Sequence, residues 1–140
     1  MSIPHAVFGE FVQTSHVPAI IAGAATQIDP IFVAPCKCVV LEIAIVPQAP
    51  VTGATGTCKN LNILNVGAAG LGSTEVANYD LITGHDLVAG DLKVIPLNTT
   101  YEDGVAMAAG DVLVLQTELV GGGVAMPTLL VAIGARENGE

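Results

Sequence analysis

The sequence predicts an all-β domain, and two observations support that prediction. Val, Ile and Thr, which favour extended backbone, account for 40 of the 140 residues. The 16 Gly and 8 Pro residues punctuate short apolar runs, and no stretch of about 12 residues carries a capped helical stripe. The apolar share of 51% and the charged share of 12% exclude intrinsic disorder. The length fits one domain.

Strands are predicted where apolar or alternating segments are bounded by turn residues. In chain order these segments are Pro18–Ala22, Gln27–Ala34, Lys37–Val46, Asn60–Val66, Thr74–Leu81, Lys93–Asn98, Val112–Leu119 and Thr128–Ala135. About eight short antiparallel strands are typical of a two-sheet sandwich, and the jelly roll, with two four-stranded sheets, fits this number best. The order of the strands stays open.

Two of these segments show which faces are covered. In Lys37–Val46 we expect Leu41, Ile43 and Ile45 to share one face, and the opposite face is also apolar except at Glu42. In Asn60–Val66 and Val112–Leu119 polar and apolar residues alternate, as in a sheet with one wet face.

The domain boundaries are predicted from where the strand-like segments begin and end. We predict an N-terminal arm at residues 1–14, a β-sandwich domain at residues 15–136 and a C-terminal tail at residues 137–140. Phe8 and Phe11 lie in the predicted arm. They either pack back on the domain or anchor the arm on a neighbouring protein.

Charge and targeting signals limit the partners. Four Lys and Arg against 13 Asp and Glu give a net charge of -9, which excludes a row of phosphate contacts and hence nucleic-acid binding. The N-terminus has no basic residue and no long apolar core, so no secretory signal is expected. No uncharged stretch is a continuous apolar span, so no membrane association is expected. The odd cysteine count favours synthesis in a reducing cytosol.

The residues that carry chemistry are few and poorly spaced. No two histidines lie at metal-ligand spacing, and the cysteines are expected to be buried or half-buried thiols. These residues are His5, His16, His85, Cys36, Cys38 and Cys58. No G-x-S-x-G motif is present, so we predict no catalytic, cofactor-binding or metal site, and no enzyme.

Two further motifs have structural explanations. The glycine-rich run Gly67–Ser73 lacks the following helix that a nucleotide site needs, so it is predicted as a connection between strands. The repeated Ala-Gly-Asp at 89–91 and 109–111 predicts a turn before a strand. The acids Asp80, Asp86, Asp91, Asp103 and Asp111 are predicted as solvated turn residues.

Several segments carry a family resemblance. They are Ile31–Pro35, Gly67–Ser73, Asp86–Asp91, Ala109–Leu115 and Gly121–Pro127. Across about Val17–Ala135 the chain resembles the jelly-roll cement, or decoration, proteins of short-tailed bacteriophages. Ala109–Leu115 is also similar to a strand entry of cupins, but the H-x-H group of cupin enzymes is absent.

The resemblance to cement proteins implies a function. It implies a non-enzymatic virion protein, made in the host cytoplasm, that binds the capsid exterior and stabilises the shell by bridging capsomers. Its partners would be the major capsid protein and a second copy of itself, a homodimer being favoured over a trimer. The alternative is a carbohydrate- or receptor-binding module of a phage or bacterial surface. The absence of Trp, with only Tyr79 and Tyr101, weakens that alternative.

Overall fold

The computed structural model describes residues 9–138. Within that range the regular structure is extended except for a 3₁₀ turn at Thr99–Tyr101. The strands are β1 (Glu10–Val17), β2 (Gln27–Val33), β3 (Cys38–Pro47), β4 (Cys58–Gly67), β5 (Thr74–Asp80), β6 (Lys93–Ile95), β7 (Val105–Met107), β8 (Val112–Val120) and β9 (Leu129–Glu137).

The strands form two antiparallel sheets packed face to face. The first sheet has the order β1-β9-β3-β6, with β7 also paired to β3, and the second has the order β2-β8-β4-β5. Because β6 and β7 pair with different parts of β3, they share one strand position. Each sheet then has four positions, and the chain crosses between the sheets in jelly-roll order. The predicted all-β jelly-roll sandwich is confirmed, and the structure adds the strand order.

The core lies between the two sheets and is built from aliphatic side chains. Leu61, Ile63 and Leu115 point inward from the second sheet, and Ile43 and Ile133 point inward from the first; all five are buried. Burying one such side chain stabilises the fold by about 1.5–3 kcal/mol. The alternation predicted for β4 and β8 is therefore confirmed.

Strand β3 contains a bulge that changes which residues face the core. The register against β9 shifts between Val40 and Glu42. An extra residue in one strand reverses the alternation beyond it, so Val40, Ile43 and Ile45 are all buried while Leu41 is 39% exposed. The prediction that Leu41 shares a face with Ile43 and Ile45 is wrong for this reason.

The first strand begins and ends earlier than the sequence predicts. Strand β1 pairs with β9 along its whole length, whereas the predicted strand Pro18–Ala22 forms only one bridge, from Ile20 to Met126. Proline has no N–H for a sheet ladder, and β1 ends at the residue before Pro18. Residues 10–14 of the predicted arm therefore belong to the sandwich.

Of the two phenylalanines in the predicted arm, the structure describes only Phe11. Phe11 lies in β1 and its ring stacks on Phe32 of β2, with ring centroids 6.3 Å apart. This contact ties the first strand to the second sheet. Phe8 lies outside the described residues, as do the last two residues of the predicted tail.

The predicted strand Lys93–Asn98 is divided into separate elements. Strand β6 ends at Ile95, directly before Pro96. Beyond the proline, the Asn98 N–H donates to the Val76 carbonyl at 2.8 Å, so this segment covers the outer edge of β5. Strand β7 was not predicted, because three residues carry too little pattern to be recognised.

The repeated Ala-Gly-Asp segments form the predicted turns. Gly90 and Gly110 have φ values of 77° and 89°, which favour glycine, and strands β6 and β8 follow them. In the second turn an Asp111 carboxylate oxygen accepts a hydrogen bond from the Ala108 N–H at 3.0 Å. Asp111 therefore orders the turn as well as meeting solvent.

Gly53 provides a stability test of the loop packing. A Cβ at Gly53 would overlap the backbone carbonyl oxygen of Ile82 and lie 2.7 Å from that of His85. We expect Gly53→Ala to lower the free energy of unfolding by about 2–3 kcal/mol, because backbone atoms must move to admit the methyl group. Gly23→Ala is the matched control, since a Cβ there meets no atom within 4 Å. Urea denaturation measures both, and equal stability of the two variants would contradict this packing.

Candidate protein-binding face

The outer face of the second sheet is divided into an apolar end and a polar end. The register of β4 against β8 causes the division, because Leu64 lies opposite Val114 whereas Asn62 lies opposite Gln116. Cross-strand neighbours on one face of a sheet are in contact. On this face aliphatic side chains therefore contact one another at one end, and amide and carboxylate side chains contact one another at the other end.

The apolar end forms a shallow depression, here called the apolar patch. Its volume is about 590 Å³, and no charged residue lines it. It is lined by Ile28 and Pro30 of β2, Leu64 and Val66 of β4, Val112, Val114 and Gln116 of β8, and by residues 68–70, 72 and 73 of the wall. Ile28 is 58% exposed. A contiguous apolar surface of this kind is typical of a protein-binding site.

The glycine-rich run forms the wall of the apolar patch. It connects β4 to β5, as predicted, and Gly67 and Gly70 have positive φ values. The turn is held by the Asn65 side chain, which accepts the Gly67 N–H at 2.9 Å, and by the Gly72 N–H, which donates to the Val66 carbonyl at 2.9 Å. This turn presents Leu71 to solvent with 90% of its side chain exposed.

The polar end is a hydrogen-bonded network, here called the polar ladder. The Asn62 amide donates to Gln116 at 2.9 Å and to Glu118 at 3.1 Å. The Asn78 amide donates to Asn62 at 2.6 Å and to Asp80 at 2.8 Å. Both amide groups thus use their two hydrogens within the network, so the ladder fixes its own side chains in place.

The outer face of the first sheet has smaller depressions, with volumes of about 300 Å³ and 270 Å³. Its centre is occupied by Ala44, Ala132 and Gly134, which lie side by side in the register of β3 and β9. Val12 and Val94 stand at its two sides with 66% and 42% of their side chains exposed. This face has aliphatic groups but no wall comparable to residues 68–73.

The three cysteines are free thiols with raised pKa values. Cys38 and Cys58 are buried and Cys36 is half-buried, in agreement with the prediction. Burial raises the pKa of Cys38 to about 11, with smaller contributions from Cys36 and Asp111. Burial also raises the pKa values of Cys36 and Cys58. These thiols therefore stay protonated at neutral pH, and the thiolate is the reactive form.

The described histidines lie far apart in the fold. His16 is exposed on the outer face of β1, whereas His85 stacks on Tyr79 and its Nδ1 lies 2.8 Å from the Asp80 carbonyl. His5 lies outside the described residues. Within residues 9–138, no three His, Cys, Asp or Glu side chains approach closely enough to hold a metal ion.

The predicted turn acids differ in their surroundings. Asp91 and Asp103 are exposed, as expected. Asp86 is exposed too, but it accepts the Gly53 N–H at 2.8 Å and so joins two loops. Asp80 belongs to the polar ladder. These carboxylates therefore act as local supports of the loops and the sheet.

Sequence reasoning did not single out the apolar patch. The signal was present in β4, where residues of one face change from Asn60 and Asn62 to Leu64 within one strand. The strand order was needed to bring Leu64 beside Val114 and Pro30.

The comparisons with known proteins found no matching family model, no matching curated protein and no matching solved structure. Across the part of the chain that the structure describes, no helix is long and apolar enough to cross a membrane.

Proposed function

We propose that this chain is a non-enzymatic virion protein that binds the outer surface of a phage capsid and stabilises the shell by bridging capsomers. The observation that supports the proposal best is the apolar patch, an uncharged depression on the outer face of a jelly-roll sheet. Its burial against another protein surface removes aliphatic area from water, at about 25 cal/mol per Å². The resemblance to cement proteins supplies the identity of that surface.

The small size of the apolar patch suits a protein that binds a capsid through many copies of the same contact. Twelve residues line the apolar patch, whereas a standard protein interface has about 20–30 residues on each side. A single copy would therefore bind weakly through it, whereas a protein with two or more copies of the patch gains effective concentration on a repeating lattice. The major capsid protein is the partner in this proposal, and the virion exterior is the location.

Co-sedimentation with capsid shells that lack the protein tests the proposal. The purified chain is mixed with shells and pelleted, and we expect saturable binding at a fixed ratio to the major capsid protein. Free capsid protein subunits serve as the control, because the bridging role requires neighbouring capsomers. If all of the added protein stays in the supernatant at micromolar concentrations, the proposal is contradicted.

The alternative, a carbohydrate- or receptor-binding module, is favoured by one feature, the polar ladder beside the apolar patch. Amide and carboxylate groups in a row recognise hydroxyl groups. However, Tyr79 is half-buried against His85 and Lys93, so its ring is not an open stacking platform. A glycan array decides the point: saturable glycan binding that is lost in Asn62→Leu would favour the alternative over the capsid role.

A further inference from the structure

Strand β1 has one edge that pairs with β9 and one edge that faces outward. The Glu137 N–H donates to the Gly9 carbonyl, which makes Gly9 and Glu137 a hydrogen-bonded pair that extends the β1–β9 register. Hydrogen-bonded and non-hydrogen-bonded pairs alternate in an antiparallel ladder. The backbone groups that point away from β9 therefore belong to Glu10, Val12, Thr14 and His16.

The backbone groups on this outward edge have no hydrogen-bonding partner within residues 9–138. The edge is eight residues long and contains no Lys, no Pro and no bulge. Natural sandwiches protect long edges with these devices or with covering segments, because an open edge pairs with another strand.

The other sheet edges are interrupted, covered or short. The edge strand β2 contains Pro30 and a register shift between Pro30 and Phe32. At its end, the Gln13 side chain accepts the Val33 N–H at 3.2 Å and donates to the Val33 carbonyl at 2.7 Å. The segment at Leu97 and Asn98 covers β5. Strands β6 and β7 have only three residues each. The outward edge of β1 is therefore the long open edge among the described strands.

We propose that this edge pairs with the same edge of a second copy of the chain, antiparallel and with Gln13 opposite Gln13. This arrangement places Val12 opposite Thr14 and Glu10 opposite His16, each pair occurring twice by symmetry. The outward backbone groups then make about eight hydrogen bonds between the copies. Two Val12–Thr14 pairs and two pairs of a Glu10 carboxylate with a His16 imidazole form on the outer face.

The side chains opposite Glu10 favour this register over its neighbours. Residues that oppose each other across the two-fold axis must lie on the same face of the sheet, so neighbouring registers differ in steps of two residues. One neighbouring register places Pro18 opposite Glu10, and the other places Thr14 opposite Glu10 and shortens the pairing. The Gln13-centred register instead places the His16 imidazole, a hydrogen-bonding partner for a carboxylate, opposite Glu10.

This dimer is independent of the proposed capsid role, since it requires only the chain itself. Sedimentation equilibrium of the full chain at 1–100 μM, a range that spans typical weak and moderate dimers, is the measurement. We expect a species of twice 14.1 kDa. A monomer throughout this range, or a trimer, would overturn the proposal.

Thr14→Pro is the variant that separates the edge from the fold. The Thr14 N–H points outward, so proline in both copies removes two hydrogen bonds between them and none of the β1–β9 bonds. We expect the dimer dissociation constant to rise about 30-fold or more. Thr14→Val keeps the N–H and a β-branched side chain, so it should remain dimeric. A Thr14→Pro protein that is folded by circular dichroism and still dimeric would overturn the proposal.

A charge reversal tests the register without changing the backbone. His16→Glu places two carboxylates opposite each other in each pair, and we expect weaker dimerisation. The double variant Glu10→Lys/His16→Glu places a lysine opposite a glutamate in each pair and should recover most of the affinity. Failure of the second change to rescue the first would contradict the Gln13-centred register.

Discussion

Replacing Ile28 and Leu71 with aspartate is expected to weaken binding to capsid shells by about 100-fold or more. Ile28 lines the apolar patch and is 58% exposed. Leu71 does not line the depression itself, but it lies in the turn that forms the wall and is 90% exposed. Two buried apolar contacts of about 2 kcal/mol each would be replaced by charges that must lose water on binding. Because both residues are exposed, the fold should be retained.

The control for this variant is Val88→Asp/Leu92→Asp. These two residues are 58% and 61% exposed, so the control makes the same chemical change on a similar exposed area outside the apolar patch. Shell binding is measured by co-sedimentation over a range of concentrations. Equal loss of affinity in both double variants would mean that the apolar patch is not the contact.

Lys59 is the one buried cation among the described residues, and its replacement should have the largest effect on stability. Its side chain is 0% exposed on the inner face of β4. The Nζ donates to the carbonyls of Ala24 at 3.1 Å and Ile21 at 3.4 Å. Burial lowers its pKa below the usual lysine range. The residue thus holds the β1–β2 connection against the second sheet.

We expect Lys59→Ala to lower the free energy of unfolding by about 3 kcal/mol. The variant removes three methylene groups and the amino group from the interior and leaves the Ala24 carbonyl without its donor. Lys59→Met keeps most of the volume, so it should lose only about 1 kcal/mol. Urea denaturation provides both values. Hydrogen exchange at the Ile20 amide, which donates to the Met126 carbonyl, reports loosening of the connection.

The exposed Lys37 supplies the control for the Lys59 variants. Lys37→Ala removes a lysine from the surface and should change stability by less than about 0.5 kcal/mol. If Lys59→Ala is as stable as Lys37→Ala, the account of Lys59 as a structural tie is wrong.

Strongly alternating segments made the fold class predictable from the sequence. Leu61, Ile63, Leu113 and Leu115 recur at every second position and are buried as that period requires. The glycine turns before β6 and β8 were predictable because Gly90 and Gly110 adopt positive φ values that local chemistry favours. Strand number follows from such local signals, but strand order does not.

The failures of prediction have physical causes outside the local pattern. Strand β1 has few inward apolar residues, with Gln13 and Ser15 between Phe11 and Val17, and is held largely by β9. The bulge at Leu41 depends on how β3 meets β9. Pairing with a distant strand decided both features, and one sequence does not display that pairing.

The apolar patch required the same long-range information. Ile28, Leu64 and Val114 are far apart in the chain, and their common face exists only because β2, β8 and β4 are adjacent. The buried Lys59 was equally hidden, since a lone lysine in a strand suggests an exposed side chain. The residues of chemical interest in this protein are thus defined by sheet order.

Thermal disruption of capsid shells with and without the bound chain tests the central claim most directly. Release of capsid contents is followed by light scattering as temperature rises, using shells saturated with the wild-type protein or mixed with the Ile28→Asp/Leu71→Asp variant. We expect the wild-type protein to raise the disruption temperature by several degrees and the variant to leave it unchanged. The same disruption temperature for bare shells and shells saturated with the wild-type chain would contradict it.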